Sequence, residues 1–369
     1  MKLIVLKNSL QNGLNDIEKA SAGENTNLPI LKNVLINNYN NKIKLTATNL
    51  ELAITKLISG KIVEDGSITV PLNILKNIVN NINNEKINLD AENNVLTLKT
   101  DNYQANIQGL PEEEFPIIPK IENVSNYIQI NSETLKENLL KVVSAAQISD
   151  IRPEISGVLL DYQVTNFNLV ATDSFRLAAK TVNESGFKSN FNKGFKAIIP
   201  LKTVQELLKI LNEGPISVFI DPNQILFKTE EVEVMSRLID GTYPDYEQII
   251  PKSFETEILI DKEHLMSAIK LVSTFSSKIN GIRLKIHDNK KTLEVYSANQ
   301  YFGDNKYLIP AKINGEKFEA SFNWRYLMDG LKNFSGETFF GVNGENGKAI
   351  FKVQNDPSYF YLMMPLRES

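Results

Sequence analysis

Alternating apolar and polar positions dominate the chain, and short stretches of helical spacing interrupt them at regular intervals. Three features recur in the same order. The first is a strand that runs into a helix start: LIVLKNSL at residues 3–10, IQINSETL at 128–135 and ILIDKEHL at 258–265. Leu10, Leu135 and Leu265 are separated by 125 and then 130 positions. In the second and third copies, Ser132 and Asp261 are of the type that caps a helix N-terminus. Leu135, Leu139, Val142 and Val143, then Leu265, Ile269 and Val272, follow with helical periodicity.

The second feature is an alternating pair of segments that ends in a small polar triplet: Ala47-Thr48-Asn49, Ala171-Thr172-Asp173 and Ser297-Ala298-Asn299. Each triplet closes an alternating run (IKLTATN, FNLVATD, LEVYSAN) that follows another (NVLINNY, GVLLDYQ, GIRLKIH), a pattern that predicts β-hairpins. The third feature is a strand delivering a second helix from Pro71, Pro200 or Asn323. Proline suits a helix start, where its missing N–H loses no bond. The predicted helices cover 6–22, 71–82, 131–147, 200–212, 260–276 and 323–334, with further strands closing each third near 110–119, 238–251 and 361–367. An α+β protein of three repeated domains follows, divided as 1–124, 125–254 and 255–369.

A chain of 369 residues exceeds the size at which one core keeps growing, which agrees with several domains. With 42% hydrophobic and 23% charged residues it has the composition of a fully folded globular protein. The opening MKLIVLKNSLQNGLND reads as no signal peptide, and no apolar run is long enough to span a membrane, so a cytoplasmic protein is expected. The chain has no cysteine and two isolated histidines, His264 and His287. Thiolate chemistry is excluded, a zinc site or Ser/His pair has little to build on, and no metal, cofactor or catalytic group is expected.

The net charge of −4 would disfavour nucleic acid if it were evenly spread. The predicted helices, however, hold 11 basic and 8 acidic residues, which makes them the relatively positive part of the molecule. Ordinary solvated helix faces give the same count. Repeated units with exposed sheet edges suggest closure into a ring, and a weak positive lining would suit sequence-independent contact with phosphates.

The segments ATDSFRLA at 171–178, LIDGTYPDYEQIIP at 238–251, MMPLR at 363–367 and TNLPILKNVLI at 26–36 together resemble the bacterial beta sliding clamp, the DNA polymerase III beta subunit, across all three repeats. The resemblance implies three clamp domains, each with two inner helices and outer antiparallel sheets, in a head-to-tail dimeric ring around duplex DNA. It implies a processivity factor without catalysis, whose partners are the polymerase III alpha subunit, the clamp loader and repair proteins bound through linear peptides. Carried over by position, the peptide pocket comprises Ile155, Thr172, Ser174, Arg176, Leu177, Pro244, Ile249, Leu362, Met364 and Pro365, with Leu366 and Arg367 at its edge. Thr172 and Arg176 would orient the peptide backbone. Arg152 and Lys202 match DNA-facing positions, and Lys76 and Arg325 join them by the repeat. Ile107 and Phe275 would form an apolar dimer contact.

The chain departs from the family pattern at Phe175, where histidine is frequent, at Gln248, often basic, and at Asn25, often a DNA-contacting arginine; Glu368-Ser369 extend the usual ending. Two other readings stay open on the residues alone. One is a peptide-binding scaffold that never encircles DNA. The other is an enzyme using Asp173 with Arg176, or Glu112, Glu113 and Glu114, although acidic runs are usually solvated loops and no P-loop or dinucleotide fingerprint occurs.

Overall fold

The computed structural model describes residues 1–369 apart from 22, 24, 25, 277, 288–290, 355, 368 and 369. The departures noted at Asn25, Glu368 and Ser369 therefore lie outside the described residues. Six α-helices occur among the described residues: α1 (Lys7–Ile17), α2 (Leu72–Asn81), α3 (Ser132–Val143), α4 (Leu201–Ile210), α5 (Lys262–Val272) and α6 (Trp324–Leu331). All six expected helices exist, and each is shorter than its apolar pattern. The pattern continues into 3-10 turns at Glu18–Ala20, which buries Ala20, and at Ser273–Phe275, neither of which extends the α-helix.

Asp261 caps α5 as expected, accepting from the His264 amide at 2.9 Å, and Asn323 caps α6 through the Arg325 amide at 3.0 Å. Ser132 does not cap α3. Asn131, one residue earlier, accepts from the Glu133 and Thr134 amides at 2.8 and 3.4 Å, while Ser132 is fully buried as the first helical residue. An Asn side chain reaches the same orphan amides as a Ser, so the cap lies one position before the expected Ser132.

The chain forms two compact units. The first contains 1–134, 187–191 and 205–238. Its five-stranded sheet runs Gly60–Glu64, Lys2–Leu6, Lys86–Glu92, Val95–Lys99, Gln104–Gln108. Its nine-stranded sheet runs Phe187–Ser189, Ile128–Asn131, Pro215–Asp221, Gln224–Lys228, Val232–Arg237, Leu52–Ile58, Lys42–Thr48, Asn33–Tyr39, Ser67–Pro71. Helix α1 packs on α2 and on strand Leu52–Ile58, burying Leu10, Leu14 and Ile17, each worth roughly 1.5–3 kcal/mol.

The second unit contains 135–186, 192–204 and 239–369. Its nine-stranded sheet runs Phe195–Pro200, Gly157–Tyr162, Asn166–Thr172, Arg176–Asn183, Asp356–Met363, Ala349–Val353, Glu337–Val342, Thr256–Asp261, Lys312–Gly315. A four-stranded sheet, Gly303–Pro310, Thr292–Asn299, Gly281–Ile286, Glu319–Asn323, completes it. All ladders in both units are antiparallel, and the three predicted hairpins are present.

Each large sheet joins two of the sequence repeats by one strand pairing. Leu52–Ile58 of the first repeat pairs with Val232–Arg237 of the second, and Arg176–Asn183 of the second pairs with Asp356–Met363 of the third. The register is the same at both seams: Leu52 faces Ser236 as Arg176 faces Met363. The segments at 110–119 and 238–251 are loops with 3-10 turns at Glu112–Glu114 and Glu247–Ile249, their prolines withholding the donors that a strand needs.

Candidate functional site

Two of the three recurring triplets, those at 47–49 and 171–173, build one kind of turn. Thr172 Oγ1 accepts from the Ser174 amide at 3.1 Å and donates to the Arg176 carbonyl at 2.6 Å, while Asp173 Oδ1 accepts from the Phe175 and Arg176 amides, both at 2.9 Å. In the first repeat, Thr48 bonds Leu50 and Leu52, and Asn49 bonds Glu51 and Leu52, in the same way. A short oxygen-bearing side chain is needed at both places because it replaces backbone partners that the turn lacks. The turn also forces one residue into the left-handed region, Ser174 at φ +76° and Leu50 at φ +74°.

Arg176 is held from several sides. Its Nε donates to Asp173 Oδ2 at 2.9 Å, Nη1 donates to Asp329 Oδ2 at 2.7 Å and to the Tyr361 hydroxyl at 3.3 Å, and the guanidinium lies 4.2 Å from the centre of the Tyr326 ring. Gly330 on α6 allows this arrangement, since a Cβ there would sit 2.5 Å from the Tyr361 ring. Thr172 and Arg176, expected to orient a peptide backbone, engage the Thr172 hydroxyl and the Arg176 Nε and Nη1 within the protein. Asp173 accepts from two amides and a guanidinium, the pattern of a residue that builds the turn and holds an ion pair.

Ile155, Leu177 and Leu362 are all buried and share one apolar cluster with Tyr243, Tyr246 and Ile350, against which Ile249 packs. Above it opens a cleft of about 400 Å³ lined by Gln248, Ile249, Ile250, Pro251, Asn343, Asn346, Gly347, Lys348 and Met364. Of the expected pocket residues, Ile249 and Met364 line this cleft. Ser174 and Phe175 reach its neighbourhood through the backbone, as the Met364 amide donates to the Phe175 carbonyl at 2.8 Å. Pro244 and Pro365 are half-buried and Arg367 is exposed. Leu366 bonds elsewhere, pairing with Ser321 through its amide at 2.7 Å, and thereby fixes the tail that carries Met364.

Sequence reading missed the wall at 343–348. Lys348 Nζ donates to the Ile249 carbonyl at 3.1 Å and holds the two walls in register. The glycines in GVNGENG signal a turn there, but nothing local says what the turn faces. Phe175, by contrast, is 62% exposed, a large apolar side chain left in water beside the cleft.

The expected DNA-facing residues differ in freedom. Lys202 on α4 and Arg325 on α6 are exposed, the latter 5.4 Å over the Trp324 ring. Arg152 donates to Glu154 Oε1 at 3.0 Å and Ser174 Oγ at 2.9 Å. Lys76 is ion-paired with Glu18 at 2.6 Å and largely covered, so its charge is already neutralised. Glu112, Glu113 and Glu114 occupy an exposed 3-10 turn, and among the described residues no group of three or more His, Asp or Glu side chains is placed to hold a metal ion.

Ile107 is 5% exposed and Phe275 half-buried. Their surroundings matter more than their exposure. Ile107 lies on Gln104–Gln108, the last strand of its sheet, and Phe275 lies near Gly303, which begins Gly303–Pro310, the last strand of another. Among the described residues no helix is long and apolar enough to cross a membrane.

Three repeats built on antiparallel sheets, two of those sheets each shared across a repeat seam, define a clamp-type protein. Family models of the DNA polymerase III beta subunit match nearly the whole chain: the N-terminal domain at residues 1–119, the central domain at 129–245 and the C-terminal domain at 247–367. The chain belongs to that family. It is 29% identical to the Beta sliding clamp of Staphylococcus aureus, covering 96% of both chains, and 27% identical to that of Synechococcus elongatus, covering 100% of this chain and 99% of the relative. The crystal structure of the DNA polymerase sliding clamp from Bacillus subtilis superposes with a TM-score of 0.94 at 26% identity, covering 100% of both chains. The protein is thus a DNA sliding clamp, a processivity subunit with no catalytic activity of its own.

Proposed function

We propose that this clamp acts as a head-to-tail homodimer whose six domains, divided in each chain as 1–124, 125–254 and 255–369, enclose duplex DNA without reading its sequence. The observation that carries the reading is a pair of edge strands that correspond to the strands joined at the two internal seams. Gln104–Gln108 ends the first repeat as Val232–Arg237 and Asp356–Met363 end the second and third, and Gly303–Pro310 corresponds to Leu52–Ile58 and Arg176–Asn183. The latter strands pair with each other at the two internal seams. A second copy would pair the remaining two in the same manner, with Asn106 opposite Asp304 and Gln104 opposite Lys306 of the partner. Long open edges are a liability that such closure removes, and the two-fold operation makes both joints alike.

In this ring the helices face the duplex and the sheets face outward. Arg152, Lys202 and Arg325 contribute phosphate contacts, Lys76 contributes little because of Glu18, and the weak lining permits sliding. Ile107 and Phe275 support the dimer joint from behind its two edge strands. The cleft takes short linear peptides from the polymerase III alpha subunit, the clamp loader and repair proteins. Ile155, Thr172, Leu177 and Leu362 form its floor, Ile249, Pro244, Met364 and Pro365 its walls, and Ser174, Arg176, Leu366 and Arg367 its supporting rim. Adaptable Met and aliphatic surface suits several partner sequences. Phe175 and Gln248 shift the preference toward apolar residues, and the site of action is the cytoplasm.

The test is topological. Clamp placed by its loader on a circular duplex should stay bound until the circle is cut, and the particle should have the mass of two chains. Retention on linear DNA would overturn encirclement. A Met364→Glu variant should form the same ring and lose binding to a synthetic peptide copied from the polymerase, by more than about tenfold. Unchanged peptide binding would overturn the cleft assignment.

A further inference from the structure

The two internal seams share one register, yet one place is filled differently in each. In the second unit, Tyr359 stands opposite Lys180, and Phe334 follows the last turn of α6. Their rings lie 5.1 Å apart, both buried, and the Tyr359 hydroxyl accepts from Asn333 Nδ2 at 2.9 Å and donates to the Lys141 carbonyl at 3.1 Å. In the first unit, Val232 stands opposite Lys56, and the residue at the corresponding step after α4 is Leu211. Two aliphatic side chains replace two aromatic rings, and a cleft of about 300 Å³ opens there.

The floor of this cleft is apolar and buried, formed by Leu207, Phe227 and Val234. Its lining includes three carboxylates, Glu213, Glu230 and Glu231, and one cation, Lys56. That cation is committed, 3.4 Å from Asp16 and 3.1 Å from Glu231. The cleft therefore combines space that the same backbone framework fills with aromatic rings elsewhere and a rim of negative charge.

We propose that this cleft is a second docking site, which accepts an aromatic side chain presented on a basic peptide segment. The twin seam defines the size and shape of the guest, because the backbone register around the two places is the same. The rim defines its charge: Glu231 is paired with Lys56 and Glu230 lies 3.8 Å from Lys42, but with Asp16 and Glu213 the carboxylates outnumber the ammonium groups, and this excess of negative charge beside an apolar hole favours lysine or arginine next to the ring.

Methyl NMR of the full-length protein, labelled at leucine and valine, tests the assignment. Titration with p-cresol should give saturable shifts at Leu207, Leu211 and Val232. A blocked tripeptide with tyrosine between two lysines should bind about fivefold tighter than one with tyrosine between two glutamates. Val232→Tyr and, separately, Leu211→Phe fill the space as the twin seam does and should abolish these shifts. Absence of shifts at the three methyls in the unmodified protein would overturn the proposal without any variant. So would shifts that persist in both folded variants, or equal affinity for the two tripeptides.

Discussion

Arg176 donates to Asp329 at 2.7 Å across 153 positions of sequence, joining the start of a central-repeat strand to the helix α6 of the last repeat. With Asp173 as second acceptor and Tyr326 beneath, the planar guanidinium meets partners in several directions that a single ammonium cannot reach together.

Arg176→Lys is therefore expected to behave as a broken buried pair. It should lower unfolding stability by about 3 kcal/mol, since Asp173 and Asp329 cannot both be satisfied by one lysine. Denaturant unfolding of the variant and its parent checks this; equal midpoints would show that the network contributes nothing beyond packing.

The sequence made the repeat legible because its signals are local. Alternation set the hairpins, and the leucine spacing set the helices, to within the frayed turns at their ends. The role of Arg176 was not legible, since Asp329, Tyr326 and Tyr361 are brought to it only by pairing of strands far apart in the chain. Thr172 was read as a ligand-facing hydroxyl for a related reason: a polar residue beside an apolar strand looks available until the turn that consumes it is seen. The unequal seams were likewise hidden, because Val232 and Tyr359 are both ordinary strand residues.

Leu50 offers a test of stored backbone strain. It lies at φ +74° with half its surface exposed, so little packing is lost on truncation. A branched side chain in this region costs about 1–2 kcal/mol, part of which glycine returns as unfolded-chain entropy. Leu50→Gly is expected to raise the unfolding midpoint by the remainder, about 0.5–1 kcal/mol in stability. Leu50→Ala, which keeps the Cβ, should not.

Asp16 gives a pH-dependent prediction. Burial pushes its carboxyl above the usual range, and Lys56 only partly opposes this. The folded state then holds the proton more tightly than the unfolded state. Stability from this group is present below the ordinary carboxyl pKa and is lost as pH rises through the raised folded value. Asp16→Asn should accordingly be the more stable protein at neutral pH, with Lys56 still paired to Glu231. Its advantage should shrink to nothing as pH falls to about 4, near the unfolded carboxyl value. A variant less stable than its parent at neutral pH would mean that attraction to Lys56 outweighs desolvation.

The proposed joint between copies can be tested by charge, without disturbing either core. Gln104 is exposed on its edge strand, and the seam register places it opposite Lys306 of the partner, which is also exposed. Opposite charges directly across a ladder stabilise by about 0.2–1 kcal/mol and like charges destabilise by a similar amount, and each ring contains two joints. Gln104→Glu should therefore tighten the dimer and Gln104→Lys loosen it, the two differing by about 1–4 kcal/mol over both joints. Adding Lys306→Glu to Gln104→Lys should restore association, because that reversal reinstates an opposite pair only if these two positions meet. Sedentary controls such as Gln129→Lys, on a strand paired on both sides, should leave the dimer constant unchanged. Analytical ultracentrifugation across a dilution series reads all four proteins, and identical dimer constants for the Glu and Lys variants at low salt would place the joint in a different register or on a different pair of strands.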